Sequence, residues 1–503
     1  MDSDILDLFV IGGGINGAGI ACDAAGRGLK TGLCEMGDFA HATSSASTKL
    51  IHGGLRYLEY YEFRLVREAL AEREVMLRKA PHIVWPLRFV LPHEPHLRPA
   101  WMIRIGLFLY DHIGGRMSLP KSQGVRLAGT KWGEGLKSSY QRGFVYSDCW
   151  VDDARLVILT VKAALAKGAA IFARHKFMSA ARRDGLWHLE LGDVATGAAK
   201  NLRARALVNA AGPWVGKLFG QLHGVASGKQ VRLVKGSHIV VPRLHRGDHA
   251  FILQNRDNRI VFVIPYERDF SLIGTTDLAY EGDPGAVKIT PEEIDYLCAI
   301  ASDYLAHPVT PRDVAWSYSG VRPLYDDGSD NPSAVTRDYV FEIDALDGAL
   351  PLLSIYGGKI TTYRELAERA LHKLKPYFPS MGGDWTAAAK LPGGDLGQGD
   401  FEAFLAQLAR GYPGLPVEYL RALARRHGSN CPSILGAAKS LADLGRHFGG
   451  HFYEAELDYL MREEWAVEAE DALYRRTKEG LHMDPTGRAA VAAWMEAHRR
   501  NAS

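Results

Sequence analysis

Gly12-x-Gly14-x-x-Gly17 follows the apolar run Leu8-Phe9-Val10-Ile11 and opens a small-residue stretch from Ile15 to Arg27. Few patterns constrain a fold as tightly. A strand of this length, a glycine turn and a helix form the first half of a βαβ unit, which commits the chain to a parallel sheet. Gly28 ends the helix, and a second strand, roughly Lys30 to Cys34, ends at Glu35. Gly12 permits the tight turn, Gly14 lets the backbone approach a pyrophosphate, and Gly17 allows close helix–sheet packing. The helix N-terminus offers unpaired N–H groups and partial positive charge to the phosphates. Glu35 stands where an acid accepts ribose hydroxyls. Ile15 and Asn16 belong to the same dinucleotide cradle.

The chain has 503 residues, too many for one ordinary core, so two or three domains are expected. A net charge of +2 and no long Lys/Arg tract argue against a nucleic-acid binder. The cysteines, Cys22, Cys34, Cys149, Cys298 and Cys431, are scattered and never spaced as CxxC. They indicate neither a disulfide framework nor a metal site, and fit a reducing compartment. The segment Met1–Ile5 carries no signal or transit pattern, and no apolar run approaches the ~20 residues that span a bilayer. Any membrane contact is expected to be peripheral.

Further along, Phe63–Lys79 is helical in pattern and a Pro-rich stretch from Pro81 to Pro99 breaks it. Val231–Val241 and Ile260–Gly274 are rich in Val, Ile and Phe with polar turns between, which predicts antiparallel strands of a second sheet. Ala206–Gly212 and Leu352–Gly358 read as returns to the nucleotide sheet. The predicted fold is α/β: a discontinuous Rossmann-like dinucleotide domain with an inserted antiparallel-sheet substrate domain, plus a C-terminal all-α domain. The expected boundaries are 1–390 for the main unit, with nucleotide parts at about 1–80, 145–225 and 320–390. The substrate-side sheet is expected at about 226–319, a linker at Leu391–Gly399, and the helical domain over 391–503, where strands vanish.

The fingerprint alone does not separate FAD from NAD. The absence of a second GxGxxG and the late strand return at Leu352–Gly358 favour FAD. Thr43-Ser44-Ser45-Ala46-Ser47-Thr48-Lys49 supplies small hydroxyls for a pyrophosphate and ribityl chain, although such clusters more often serve as loops or caps. Gly53 and Gly54 let backbone lie close to a flat ring. His52, Arg56 and Tyr57 add a titratable group, a fixed cation and a polar aromatic.

These segments resemble the FAD-dependent glycerol-3-phosphate dehydrogenases of the aerobic, membrane-associated type. Further matches are Tyr146–Arg155, Asn209–Trp214, Lys235–His238, Ile273–Asp277, Ser319–Leu324, Gly357–Arg364 and Phe452–Leu457, in the family's order along nearly the whole chain. No EF-hand loop of the kind mitochondrial relatives carry is present, which fits a bacterial form. The resemblance implies non-covalent FAD, held by Gly12, Gly14, Ile15, Asn16, Gly17, Glu35, Thr43, Ser44, Ser45, Ser47, Lys49, His52, Gly53, Ala211, Gly212, Trp214, Gly358, Lys359 and Thr361. It places Arg56, Tyr57, Thr275, Arg322 and Lys359 around glycerol 3-phosphate. Arg322 and Lys359 act as charge stabilisers, and His52 is chosen as base because its ordinary pKa suits proton acceptance near neutral pH. His52 reads equally well as a hydrogen-bond partner of the flavin, and Arg322 has a structural ion-pair reading.

The resemblance also implies ubiquinone as electron acceptor and a peripheral seat on the cytoplasmic side of the bacterial inner membrane; a homodimer is compatible with it. Arg98–Tyr110, with Trp101 and Tyr110 flanking an apolar stretch, is the candidate lipid contact. Base rates favour a buried helix there instead. Rival activities are an amine or amino-acid oxidase, an oxidase passing electrons from glycerol 3-phosphate to oxygen, and a non-catalytic flavoprotein.

Overall fold

A computed structural model of the chain describes residues 5–94, 98–115, 117–225, 228–229, 231–255, 257, 259–325, 338–397 and 400–502. Strand β1 (Ile5–Ile11), helix α1 (Ile15–Gly26) and strand β2 (Thr31–Glu35) form where the glycine pattern requires them. Almost every residue of α1 is buried, because Asp153–Ala166 and Tyr363–Leu374 pack on it as neighbouring helices. That explains its Gly/Ala composition. A Cβ on Gly19 would meet the Tyr363 ring at 2.9 Å, and one on Gly26 would meet Trp385 at 2.0 Å.

The first sheet runs Ala170–Ala173, β2, β1, Ala199–Asn209, Ala349–Tyr356, all parallel. The far edge of Ala199–Asn209 is divided. Its first half pairs antiparallel with Leu186–Asp193, and Leu207–Asn209 pair in parallel with Leu352–Ser354. Both predicted returns to this sheet are therefore present.

The second sheet is larger than 226–319. It contains Val231–Pro242, Ala250–Gln254, Ile260–Tyr266 and Phe270–Gly274, but also Leu50–Ile51, Val84–Pro92, Gln123–Arg126 and Arg142–Val151. Arg142–Val151 is buried after its first residue, and a continuous buried run does not distinguish a parallel strand from the centre of a mixed sheet. Trp316–Tyr325 also belongs here, paired residue for residue with Val231–Val240, and it carries Arg322 across the expected boundary at 320.

The segment from Leu391 is packed, not a free tether. Leu391 donates to the Lys79 carbonyl, and a Cβ on Gly393 would lie 2.4 Å from the His427 carbonyl oxygen. Residues 398–399 of the expected linker lie outside the described residues. Beyond it come helices Phe401–Gly411, Val417–His427, Glu454–Glu463 and Pro485–Ala502 around their own core of Leu405, Leu420, Leu457, Leu460 and Val491. A short hairpin, His447–Gly449 with Phe452–Tyr453, interrupts this otherwise helical region.

The Arg98–Tyr110 segment departs from the base-rate reading. Ala100–Ile113 is a helix of which Leu107 and Tyr110 are buried, while Trp101 is 63% and Phe108 55% exposed, with Ile105 and Leu109 exposed beside them. Its inner residues pack against the second sheet, leaving an apolar outer stripe. Among the described residues no helix is long and apolar enough to cross a membrane.

Candidate active site

A cavity of about 620 Å³ opens between the two sheets at the C-terminal ends of β1 and β2. The glycine turn forms its floor. Gly12 adopts φ +108°, and a Cβ there would lie 2.5 Å from the Ala210 carbonyl oxygen. A Cβ on Gly17 would sit 1.9 Å from the Gly12 carbonyl oxygen, so Gly17 works by letting α1 press on the turn and does not itself line the cavity. The N-cap of α1, Gly14, brings no side chain, and the first turn has no acid. The positive end of the helix thus faces the cavity, with the Glu35 carboxylate beside the turn. Asn16 Nδ2 donates to the Gly357 carbonyl at 3.1 Å, while Asn16 Oδ1 is buried without a hydrogen-bond partner among the described residues.

Glu35 lines the same region. Its carboxylate accepts the N–H of Gly13 and the N–H of Gly37, each at 2.8 Å, so it braces the turn as well as lining the cavity. Thr43, Ser44 and Ser47 also line the wall. Thr43 Oγ1 donates to the Val321 carbonyl at 2.6 Å, Ser44 Oγ accepts from Ile15 N–H at 3.0 Å, and Ser47 Oγ donates to Asp153 at 2.8 Å. Ala211, Gly212 and Trp214 close one side, and Gly358 and Thr361 the other.

Four further expected contacts lie off the wall. Lys49 is 2% exposed and held by Asp153 at 2.7 Å, which fixes the segment from behind. Ser45 gives its carbonyl to Lys49 Nζ. Gly53 donates its N–H to Tyr110 at 2.8 Å, with Leu70 filling the space a Cβ would need. Arg56 sits on the turn Leu55–Tyr60 and reaches Tyr60 OH at 3.3 Å. Each is held by a partner away from the wall, which residue type alone does not reveal.

Opposite the glycine turn the wall becomes cationic. His52, Tyr57, Thr275, Arg322 and Lys359 all reach it. Arg322 Nη2 bonds Asp277 at 2.9 Å, so both readings of this residue describe it: an ion-pair partner that also presents its guanidinium to the cavity. Gly236 keeps the space open, since a Cβ there would lie 2.7 Å from Thr275 Oγ1 and 3.4 Å from Arg322 Nη2. His52 N–H donates to Thr361 Oγ1 at 3.4 Å.

Sequence reasoning gave no role to His238. It lines the cavity, bonds Thr48 Oγ1 at 3.0 Å and stacks on Tyr318 at 4.8 Å, and its Nδ1 is buried without a partner among the described residues. Burial, with Lys49 and Arg322 adding repulsion, pulls its pKa down to about 3. The ring is therefore neutral and a weak base. The Lys235–His238 motif contained the signal, but only strand pairing with Phe270–Gly274 and Trp316–Tyr325 shows which way it faces.

Residues 7–364 match the family model "FAD dependent oxidoreductase", and residues 385–500 match "C-terminal domain of alpha-glycerophosphate oxidase". The chain is 55% identical over 489 residues to the aerobic glycerol-3-phosphate dehydrogenase of Escherichia coli K12, covering 97% of each. It is 54% identical over 495 residues to the D-erythritol 1-phosphate dehydrogenase of Brucella abortus strain 2308, covering 98% of each. Among solved structures, the glycerol-3-phosphate dehydrogenase from Bacillus halodurans complexed with FAD aligns at a TM-score of 0.76 and 31% identity, over 99% of this chain and 90% of that one. With the glycine turn, the divided sheet and a cavity of this shape in place, the chain belongs to the FAD dependent oxidoreductase family.

Proposed function

We propose that this enzyme oxidises sn-glycerol 3-phosphate to dihydroxyacetone phosphate with non-covalent FAD, passing electrons to ubiquinone from a peripheral position on the cytoplasmic side of a bacterial inner membrane. The carrying observation is the arrangement of one cavity with two ends. A glycine turn and helix N-terminus suit a pyrophosphate, and Tyr57, Thr275, Arg322 and Lys359 suit a small phosphorylated alcohol. The residues present fit the dinucleotide: Gly12 and Gly14 leave no side chain in its path, and Asn16 Oδ1 lacks a hydrogen-bond partner among the described residues.

Bound FAD would supply the two-electron acceptor. The chain's own residues do the rest. Arg322 and Lys359 hold the substrate phosphate or the oxygen on which negative charge develops. His52 takes the hydroxyl proton. His238, neutral with a pKa pulled to about 3, is too weak a base for that work near neutral pH and provides a polar neutral wall. The exposed stripe Trp101, Ile105, Phe108 and Leu109, beside exposed Tyr60, Tyr61 and Phe63, supports the lipid contact.

The near-equal match to a D-erythritol 1-phosphate dehydrogenase favours a second reading, in which a longer phosphorylated polyol is the substrate. Anaerobic titration of the flavin decides. Bleaching by glycerol 3-phosphate at lower concentration than by D-erythritol 1-phosphate supports the first reading; the reverse order overturns it. Bleaching by an amino acid alone overturns both. A quinone analogue and then oxygen, offered to the reduced enzyme, identify the acceptor through reoxidation and peroxide yield.

A further inference from the structure

Among the described residues none of the C-terminal domain lines the cofactor cavity, yet one short segment of it holds the loop that does. The π-helical turn Asp471–Arg476 projects two arginines onto Asp38, three residues beyond Glu35. Arg476 bonds both Asp38 oxygens, Nη2 to Oδ1 at 2.7 Å, and Arg475 Nε bonds Oδ2 at 2.5 Å. Asp38 and Arg476 are buried, and Arg475 keeps 12% of its side chain exposed. The next residue, Phe39, packs edge-on against Trp465 of the same domain at 5.2 Å. Its other side fills the space beside Gly13, where a Cβ would meet the Phe39 ring at 2.6 Å. The middle glycine of the Gly12–Gly14 run thus makes room for a residue clamped from the C-terminal domain.

From Asp38 and Phe39 the chain enters the cavity wall at once, through Ala40, His41, Ala42, Thr43 and Ser44. A second attachment reaches the far end of the same loop. Lys478 bonds Asp152, which N-caps the helix Asp153–Ala166, and Asp153 takes Ser47 Oγ at 2.8 Å. The segment Asp471–Glu479 therefore grips the cavity loop at both ends.

We propose that the C-terminal domain is part of the cofactor-holding machinery. Arg475 and Arg476 are positioning residues that act through Asp38, with Trp465 acting through Phe39, to set the Ala40–Ser47 loop against FAD. FAD binding and docking of the Asp471–Glu479 segment then strengthen each other by the same factor, because such coupling is reciprocal. This rests on the reading that FAD occupies the cavity.

The test uses the full chain. Asp38→Asn with Arg476→Met removes both partners together, since removing one alone would strand a buried charge; Arg475 keeps its second partner, Asp471. Lys162→Gln removes another contact between the domains, to Tyr459 OH at 2.9 Å, outside the Asp471–Glu479 segment. FAD dissociation is followed by flavin fluorescence on dilution, with Tm recorded for each protein. The expected result is an FAD Kd raised tenfold or more in the double variant and changed less than twofold in Lys162→Gln. A Kd within twofold of wild type in the double variant, or an equal rise in both, overturns the proposal. A second measurement needs no variant: amide exchange over Asp471–Glu479 in wild-type chain stripped of FAD and then reloaded. Exchange several-fold slower with FAD is expected, and equal exchange overturns the coupling. A wild-type chain that takes up no FAD overturns the reading of the cavity itself.

Discussion

The Lys359 ammonium stands 4.2 Å from the centroid of the Tyr57 ring, and both side chains face the cavity. A cation over an aromatic face is fixed in direction without being neutralised, so its charge stays available to a phosphate. Lys359→Met should lower kcat/KM for glycerol 3-phosphate by roughly 10²–10³ with FAD content unchanged. Tyr57→Phe keeps the ring and should cost less than about fivefold, whereas Tyr57→Leu should cost at least about tenfold. Equal losses in the two Tyr57 variants would show that the ring does not serve Lys359.

Arg322 combines a fork geometry with an Asp277 partner at 2.9 Å. Arg322→Lys preserves charge but not the two-pronged contact, so kcat/KM should fall by about 10–100-fold. Arg322→Met should fall further. Steady-state kinetics on FAD-replete protein separate the two, and a lysine variant as active as wild type would remove bidentate recognition from the account.

The glycine turn makes a steric prediction. Gly17→Ala places a methyl 1.9 Å from the Gly12 carbonyl oxygen, so α1 must move off the turn. The purified variant should carry little FAD. Gly216→Ala, on an exposed helical position with nothing within 4 Å, should keep normal FAD content and Tm. Absorbance at the flavin band relative to the protein band reads the difference directly.

Acid should destabilise the fold well above the carboxylate range. Burial pushes His82 and His427 far below 6.5, His238 and His245 down to about 3, and His249 to about 4. The unfolded chain takes up these protons near pH 6.5, while the folded chain resists them until well below that, at about 3–4 for His238, His245 and His249, so stability falls as pH drops from about 6.5 to 4. Each such group contributes a slope of up to about 1.4 kcal/mol per pH unit. Glu267, raised to about 7, works in the opposite direction, as do Asp23, Glu72 and Glu456, whose carboxyls burial also raises. Denaturant midpoints at pH 7.5, 6 and 5 should decline, and His249→Asn should flatten the decline. A level profile over that interval would contradict the assignment.

The apolar stripe is tested with lipid. Trp101→Ser and Phe108→Ser should each reduce partitioning onto anionic vesicles by about tenfold, in line with the transfer energy of a large apolar side chain, and leave turnover with a soluble dye unaltered. Unchanged vesicle binding would move the contact elsewhere.

Much of this arrangement was legible in the residues. Gly12, Gly14, Gly17 and Glu35 stand in the strand–turn–helix their spacing predicts, because local sterics alone decide it. The residues beyond reach were those whose direction depends on distant partners. Lys49 lies within a hydroxyl-rich run like its neighbours, yet it turns inward to Asp153, 104 positions away. His238 faces the cavity because two strands flank its own, and Arg142–Val151 joined the second sheet because its burial on both faces erased the alternation that would have placed it. The helix at Ala100–Ile113 was apolar in composition either way, and only its packing showed which residues stay outside.

The parallel sheet takes its strands from residues 5–11, 31–35, 170–173, 199–209 and 349–356, and Asn16 is tied to Gly357 across 341 positions. During synthesis the ribosome releases the glycine turn early and its last supporting strand late. Most of the polypeptide must leave the exit tunnel before the cofactor cavity has all its walls. The N-terminal βαβ unit therefore waits, with its edge open, for a partner made near the end of the main unit, and a truncation before residue 349 would leave a fingerprint intact in letters but without a place to bind.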